Sequence, residues 1–402
     1  MLTTELRKIQ MVFFDRLMRT SDNPDEARLL AEASKLIPKD RRVVLVESDL
    51  DYGNLRALAL DLNKVLDEDE FLFLAYDQKG LDWAKSHNLP TAIFTAKSEP
   101  GSAKIWDELI RAKVTVYESH NWWRSKDKLL QRSLLEGSYK IQLWHGATGP
   151  VGKVFGLERL NSAKSFWHFT AVATSSIGFD ELVNEPSQAE YRRTRSMISD
   201  KSILDVEYRL VQELNSGSWT PQECKLILIA PTFSESTAGE DALVKWIGEV
   251  TKIAMDHNWE VDIALHPGAK PRVSNLVKRK VGKARLLNGV NTSDLRGYSA
   301  VVTDFSGIAH DALMLGIPTV SMLIDFDNYQ DLCPSIIDDD QMKAAYVVRQ
   351  LGELEIQLSK AIESDPLATG RENYVTSVVS GIGALPGVNT RDAIMKALNK
   401  DS

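Results

Sequence analysis

At 402 residues, the chain is too long for one domain of ordinary size and fits two. Its 43% hydrophobic and 26% charged residues are those of a globular protein, and a formal net charge of −8 excludes a general nucleic-acid binder. Two cysteines, Cys224 and Cys333, lie far apart without metal-type spacing, which excludes a disulfide framework and favours a reduced, cytoplasmic setting.

Residues 1–37 have helical spacing broken by a turn at Ser21-Asp22-Asn23-Pro24, and charges within the apolar part of the first stretch read as an amphipathic helix, not a signal peptide. Arg42 to Glu47 (RVVLVE) reads as a first buried strand, and the loop SDLDYGN leads into a helix at Leu55 to Leu66. Short apolar strands follow at Phe71 to Ala75, Thr91 to Phe94, Lys113 to Tyr117 and Lys140 to Leu143, the last ending at Trp144-His145-Gly146. Residues 181–222 are polar and weakly periodic, as suits a hinge.

The scheme then repeats. Lys225 to Ala230 reads as a strand ending in Pro231-Thr232-Phe233, Asp241 to Met255 as a helix, and Val261 to Leu265 as a strand ending in His266-Pro267. Leu286-Leu287, Ala300 to Val302 and Thr319 to Leu323 supply further strands, and Thr390 to Leu398 has helical spacing. Strands alternating with helices predict parallel sheets covered on both faces, an α/β fold. The expected organisation is a helical segment at 1–40, a Rossmann-like domain at 41–205, a second at 206–385, and a helix at 386–402 that packs back on the first. No stretch is long enough to span a bilayer.

In open α/β sheets, ligands bind off the carboxyl ends of the strands, and three strands here end in chemically capable residues. Thr303 to Ser306 is a polar turn between strand and helix. Thr303 and Ser306 offer hydroxyl donors to a phosphate, Gly307 lets the backbone approach closely, and Asp311, about one and a half turns on, is placed to accept from ribose hydroxyls. The same pattern also fits an ordinary crossover with Asp311 in solvent. His145 suits a general base, although a histidine in this setting is more often a structural imidazole, whereas His266, held extended by Pro267, suits donation to a phosphate oxygen. No His-x-x-x-His, Cys-x-x-Cys, Walker loop, nucleophile elbow or Gly-x-Gly-x-x-Gly occurs. A basic run holds Lys270, Arg272, Lys278, Arg279, Lys280, Lys283 and Arg285; it fits a solvated face or an anionic surface.

Five stretches, taken in order, resemble the CDP-glycerol glycerophosphotransferase family of teichoic-acid primases, polymerases and capsule-polymer relatives. They are Tyr52-Gly53-Asn54; Gln142-Leu143-Trp144-His145-Gly146; Ile229-Ala230-Pro231-Thr232-Phe233; Leu265-His266-Pro267; and Thr303-Asp304-Phe305-Ser306 through Asp311, Pro318, Asp325 and Tyr329. The chain departs from the family pattern at Ser234, Gly307 and His310, and its Lys153 comes late after the Trp-His-Gly triplet.

The resemblance implies a GT-B architecture, two Rossmann-like doubly wound domains facing a central cleft, with an acceptor domain first and a nucleotide-donor domain second. It implies transfer of a polyol phosphate from a CDP-activated donor, CDP-glycerol before other CDP-polyols, to a lipid-linked, oligosaccharide or polyol-phosphate acceptor, with CMP leaving. Carried over by position, His145 is the base and His266 a phosphate contact; Thr303, Ser306 and Gly307 hold the donor's phosphates. Asp311, Pro231 and Thr232 hold its nucleoside, and Asn54, Gly146 and Lys153 meet acceptor or substrate. No cofactor or protein-bound metal follows, although the chemistry is compatible with a divalent cation such as Mg. A cytoplasmic protein peripheral at the membrane's inner face is implied, with the basic run and Trp122-Trp123-Arg124 as candidate contacts, although the two tryptophans fit a structural aromatic pair more readily. Two alternatives use the same fold: a glycosyltransferase or nucleotide-sugar epimerase with a UDP or CMP sugar, and a non-catalytic scaffold of a polymer assembly.

Overall fold

The structure is a computed structural model that describes residues 31–47, 53–93, 102–117, 134–143, 181–182, 202–203, 205–223, 225–232, 237–266, 268–304, 306–324, 339–380 and 383–399. Its first part runs β1 (Arg41–Val46), α1 (Asn54–Leu62), β2 (Phe71–Ala75), α2 (Gln78–Ser86), β3 (Thr91–Ile93), α3 (Ser102–Ile110), β4 (Ala112–Tyr117), β5 (Tyr139–Gln142), β6 (Glu181–Leu182) and β7 (Ser202–Ile203). These strands form one sheet in the order β3-β2-β1-β4-β5-β6-β7, every neighbouring pair parallel.

After α4 (Tyr208–Asn215) come β8 (Leu226–Ile229), α5 (Thr237–Asp256), β9 (Glu260–Ala264), α6 (Pro271–Lys280), β10 (Arg285–Leu287), a 3-10 turn at Thr292–Gly297, β11 (Ala300–Thr303), α7 (Ile308–Met314), β12 (Thr319–Met322), α8 (Asp339–Ala344), β13 (Tyr346–Val348), α9 (Leu354–Ser359) and α10 (Ala368–Val379). The second sheet has the order β10-β9-β8-β11-β12-β13, again parallel throughout. A last helix, α11 (Val388–Asn399), closes the chain. The described residues fall into two compact units: one holds the first sheet, α11 and the chain through Arg209, and the other runs from Leu210 to Gly383.

Both sheets are doubly wound, because strand order reverses beside the first strand of each: β1 lies between β2 and β4, and β8 between β9 and β11. Helices on both faces leave the central strands no solvent side. β2 (FLFLA) and β11 are therefore buried at every position, and β8 at all but its first. In the second unit, Leu243, Val244, Ile247, Val250 and Ala254 of α5 pack at helical spacing on Ile227, Ile229, Ile263 and Val302. Each such Val, Leu or Ile side chain contributes about 1.5–3 kcal/mol of burial.

Element ends lie within a few residues of the sequence expectation. Glu181–Leu182 and Ser202–Ile203 are strands inside the stretch expected to be a polar hinge, and Tyr346–Val348 is a strand that apolar patterning did not mark. Two or three residues give no readable period; pairing with a sheet edge makes them strands. Helical spacing expected at the amino end falls mostly on residues 1–30, outside the described set.

Asp205 ties α11 to the first unit. Fully buried, its carboxylate accepts from the Gly387 N–H (2.7 Å) and the Thr390 hydroxyl (3.3 Å) at the start of that helix, and from the Val206 N–H (3.1 Å). Burial pushes the acid up to about 6, against the pull of those donors. A folded acid raised above its unfolded value near 4 holds its proton longer than the unfolded chain does. Stability therefore falls as pH rises from about 4 to about 6 and is level above, a swing of roughly 2–3 kcal/mol from this group. Melting temperatures of wild type and Asp205→Asn from pH 4 to 7 should diverge by that slope; parallel curves would refute it.

Candidate functional site

The second sheet brings its predicted residues to three consecutive strand ends. β9, β8 and β11 are adjacent and parallel, so the turns after them lie side by side about 5 Å apart per strand. They carry His266, Pro231-Thr232, and Thr303 to Ser306, at the switch point where such sheets take ligands. Two bonds stitch the β8 and β11 turns together: the Thr303 hydroxyl donates to the Ala230 carbonyl (2.6 Å), and the Thr232 N–H donates to Asp304 Oδ1 (2.7 Å). Thr303, expected to hold phosphate, is thus fully buried with its proton directed at a strand end, and what it does here is fix the turn. Asp304 shares that task, which sequence reading did not assign to it.

The stitching leaves the Thr232 hydroxyl oxygen shielded from water with no hydrogen-bond partner. Such a group costs about 1–3 kcal/mol. Ser306 and Gly307 are half-buried, and Gly307 precedes α7 with no side-chain cap, the Ala309 N–H of the first turn donating to the Ser306 carbonyl (3.1 Å). Gly316 ends α7 in the left-handed conformation (φ 78°); N–H groups of Gly316 and Ile317 return to the carbonyls of Leu313 and Ala312. Asp311 is buried, not in solvent, and accepts from the Thr292 hydroxyl (3.3 Å), which brings the turn after β10 against α7.

His266 is exposed, and its Nδ1 accepts from the Gly268 N–H at 2.9 Å. A backbone N–H only donates, so the ring's proton sits on Nε2, facing away from that bond. Partial desolvation lowers the ring's pKa from its usual value, which keeps it neutral near pH 7. Nε2–H is therefore a neutral donor suited to a phosphate oxygen. Deeper in the unit, His310 is fully buried on α7 and meets the Tyr374 hydroxyl of α10 at 2.7 Å; it supports α7 from behind.

At the switch point of the first sheet, sequence reasoning missed Glu47. This buried carboxylate ends β1 and receives Arg56 (Nη2 2.8 Å, Nε 3.1 Å) and the Tyr76 N–H (3.0 Å), while Arg56 also lies over the Trp83 ring at 4.7 Å. An acidic residue closing an apolar strand was the available signal. Asn54, expected to meet acceptor, is fully buried instead, its Oδ1 accepting from the Arg209 N–H (2.7 Å). It anchors the chain near the exit from this unit. Gly53 before it has φ 87°, a conformation that requires glycine there.

His145, Gly146 and Lys153, with Trp122-Trp123-Arg124, lie outside the described residues. The basic run is sorted by the fold. Lys270 and Arg272 pair with Glu240, whose carboxyl they hold below the usual range, and Arg285 grips buried Asp262 with two bonds. Lys278, Arg279, Lys280 and Lys283 remain exposed. Among the described residues, no three His, Cys, Asp or Glu side chains are grouped to hold a metal ion, and no helix is long and apolar enough to cross a membrane.

No curated protein sequence is significantly similar to the chain. Among solved structures, the wall teichoic acid polymerase TagF superposes with a TM-score of 0.61 at 15% identity, covering 100% of this chain and 99% of that one. A putative UDP-N-acetylglucosamine 2-epimerase from Listeria monocytogenes gives 0.56 at 12% identity, covering 90% and 98%. An S. aureus MnaA-UDP structure gives 0.55 at 8%, covering 89% and 95%. Identities this low establish the fold, the α/β architecture of the GT-B type. The family of CDP-glycerol:poly(glycerophosphate) glycerophosphotransferases matches residues 37–378, a span that takes in both sheets and each strand end described above. The chain belongs to that family and is an enzyme of the glycerophosphotransferase kind.

Proposed function

We propose that the protein transfers glycerol phosphate from CDP-glycerol to a hydroxyl of a lipid-linked or oligosaccharide acceptor, in teichoic-acid or capsule polymer synthesis. In the proposed step an acceptor hydroxyl, losing its proton to His145, attacks the distal phosphorus of the donor. A new P–O bond forms, the bond to the inner phosphate breaks, and CMP leaves. His266 Nε2–H donates to a phosphate oxygen as charge moves onto it. Ser306, Gly307 and Thr232 meet the donor's phosphates and nucleoside, with Pro231 shaping the turn and Asp311 directed to the ribose. Gly146 and Lys153 stay assigned to the acceptor side.

The observation that carries this reading is the 2.7 Å bond from the Thr232 N–H to Asp304. It ties together the turns of two family stretches, 72 residues apart, at the switch point, and the Thr232 hydroxyl beside it has no protein partner. Thermal shift with CDP-glycerol, CDP-ribitol and UDP-N-acetylglucosamine tests the donor class. At a hundred times its Kd, a CDP-polyol should add about 2.7 kcal/mol to stability. Stabilisation by the UDP sugar alone would transfer the protein to the epimerase or glycosyltransferase reading.

Lys278, Arg279, Lys280 and Lys283 support peripheral contact with an anionic membrane, each worth about 1 kcal/mol near such a surface. Co-sedimentation equal on anionic and neutral vesicles would remove this part of the proposal.

A further inference from the structure

Gln142 ends β5 at the carboxyl edge of the first sheet, in register with Tyr117 of β4. It is 1% exposed, and its Oε1 is a buried acceptor with no hydrogen-bond partner. The polar groups around it are differently placed. Just past β1, the neighbour of β4, Glu47 is engaged by Arg56 and the Tyr76 N–H. Further down β5, on the same face as Gln142, Lys140 pairs with Glu136 at 3.1 Å. Leaving an amide oxygen unpaired in the interior costs about 1–3 kcal/mol, and an apolar side chain of the same length would avoid that cost.

We propose that Gln142 is an acceptor-specificity residue: its amide oxygen is held unpaired in the resting protein and receives a hydrogen bond from a hydroxyl of the bound acceptor. The ligand's class follows from the atom. A carbonyl oxygen accepts and cannot donate, so it repels phosphate oxygens and suits a neutral polyol or sugar hydroxyl. That separates it from the donor's diphosphate; hydroxyls also occur on the donor's glycerol and ribose, and Gln142 is assigned to the acceptor because it ends a strand of the first sheet, whereas the strand ends assigned to the donor belong to the second. Because Oε1 is shielded from solvent, the edge must rearrange locally as the acceptor arrives. The bond exists only in the complex, and the free energy withheld from folding is returned on binding.

The inference rests on the glycerophosphotransferase reading, and the test separates the two. Gln142→Met, and Gln142→Leu should the first fold poorly, are assayed with CDP-glycerol and a synthetic oligo(glycerol phosphate) ending in a free hydroxyl. The KM for the oligomer should rise about tenfold, that for CDP-glycerol should stay within about twofold, and the melting temperature of the free protein should be equal to or above wild type. A merely structural glutamine gives the reverse, a lower melting temperature with both KM values raised or with neither changed, and either result overturns the proposal. A wild type that releases no CMP from CDP-glycerol refutes the parent reading. A wild type that does so, matched by an indistinguishable Gln142→Met, refutes this inference alone.

Discussion

Replacing His145 by Ala should lower the rate of CMP release from CDP-glycerol by about a hundredfold to ten-thousandfold, the range that a positioned general base supplies. The acceptor hydroxyl is a poor nucleophile while it keeps its proton. An imidazole that titrates near neutrality is basic enough to take that proton and weak enough to give it up afterwards. His145 follows the carboxyl end of β5 by three residues, and such strand ends are where doubly wound sheets present chemistry. Because the base acts on the acceptor, donor affinity should change little, so the loss should appear in kcat with the Kd for CDP-glycerol held within about twofold. Single-turnover CMP release and calorimetric titration of the donor separate the two quantities. Equal loss in both would make His145 a structural or donor-binding residue, and an unchanged rate would reject the base assignment.

What the sequence makes legible is the scaffold and its edges. FLFLA, LILI and AVVT announce strands buried on both faces, and the polar residues that stop them mark the carboxyl ends. The relation between distant ends is not legible. Nothing local says that Thr303 donates to Ala230, or that Asp304 takes the Thr232 N–H, because each bond joins residues more than seventy positions apart. Asn54 shows the same limit in reverse. Its position after a glycine loop suggests a substrate contact, and only the return of the chain at Arg209 makes it interior. Likewise, the unpaired state of Gln142 depends on what surrounds it and leaves no mark in composition or period. The basic run, uniform in sequence, is divided by carboxylates supplied from α5 and β9.

Replacing His266 by Ala should reduce kcat by about a hundredfold to a thousandfold, the usual result of deleting one donor to a developing charge. The geometry also fixes how donor binding responds to pH. In the free protein the ring is neutral: desolvation lowers its pKa, and the Gly268 N–H occupies Nδ1. A diphosphate close to Nε2 favours the protonated ring, so its pKa must be higher in the complex than in the free protein. By linkage, the ring then takes up a fraction of a proton when the donor binds, and the donor's affinity rises as pH falls from the bound pKa toward the lowered free value. The gain is about tenfold for each unit by which the donor raises the ring, and it levels off below the free pKa. The diphosphate diester does not itself titrate between pH 6 and 8, so the slope belongs to the protein. Titrations of CDP-glycerol at pH 8 and pH 6 should therefore show tighter binding at the lower pH in wild type and a flat response in both His266→Ala and His266→Gln. The Gln variant, which keeps a neutral N–H donor, should recover part of the lost rate. A slope that survives in both variants would place the titrating group elsewhere, and His266 would then be only the anchor of its own turn.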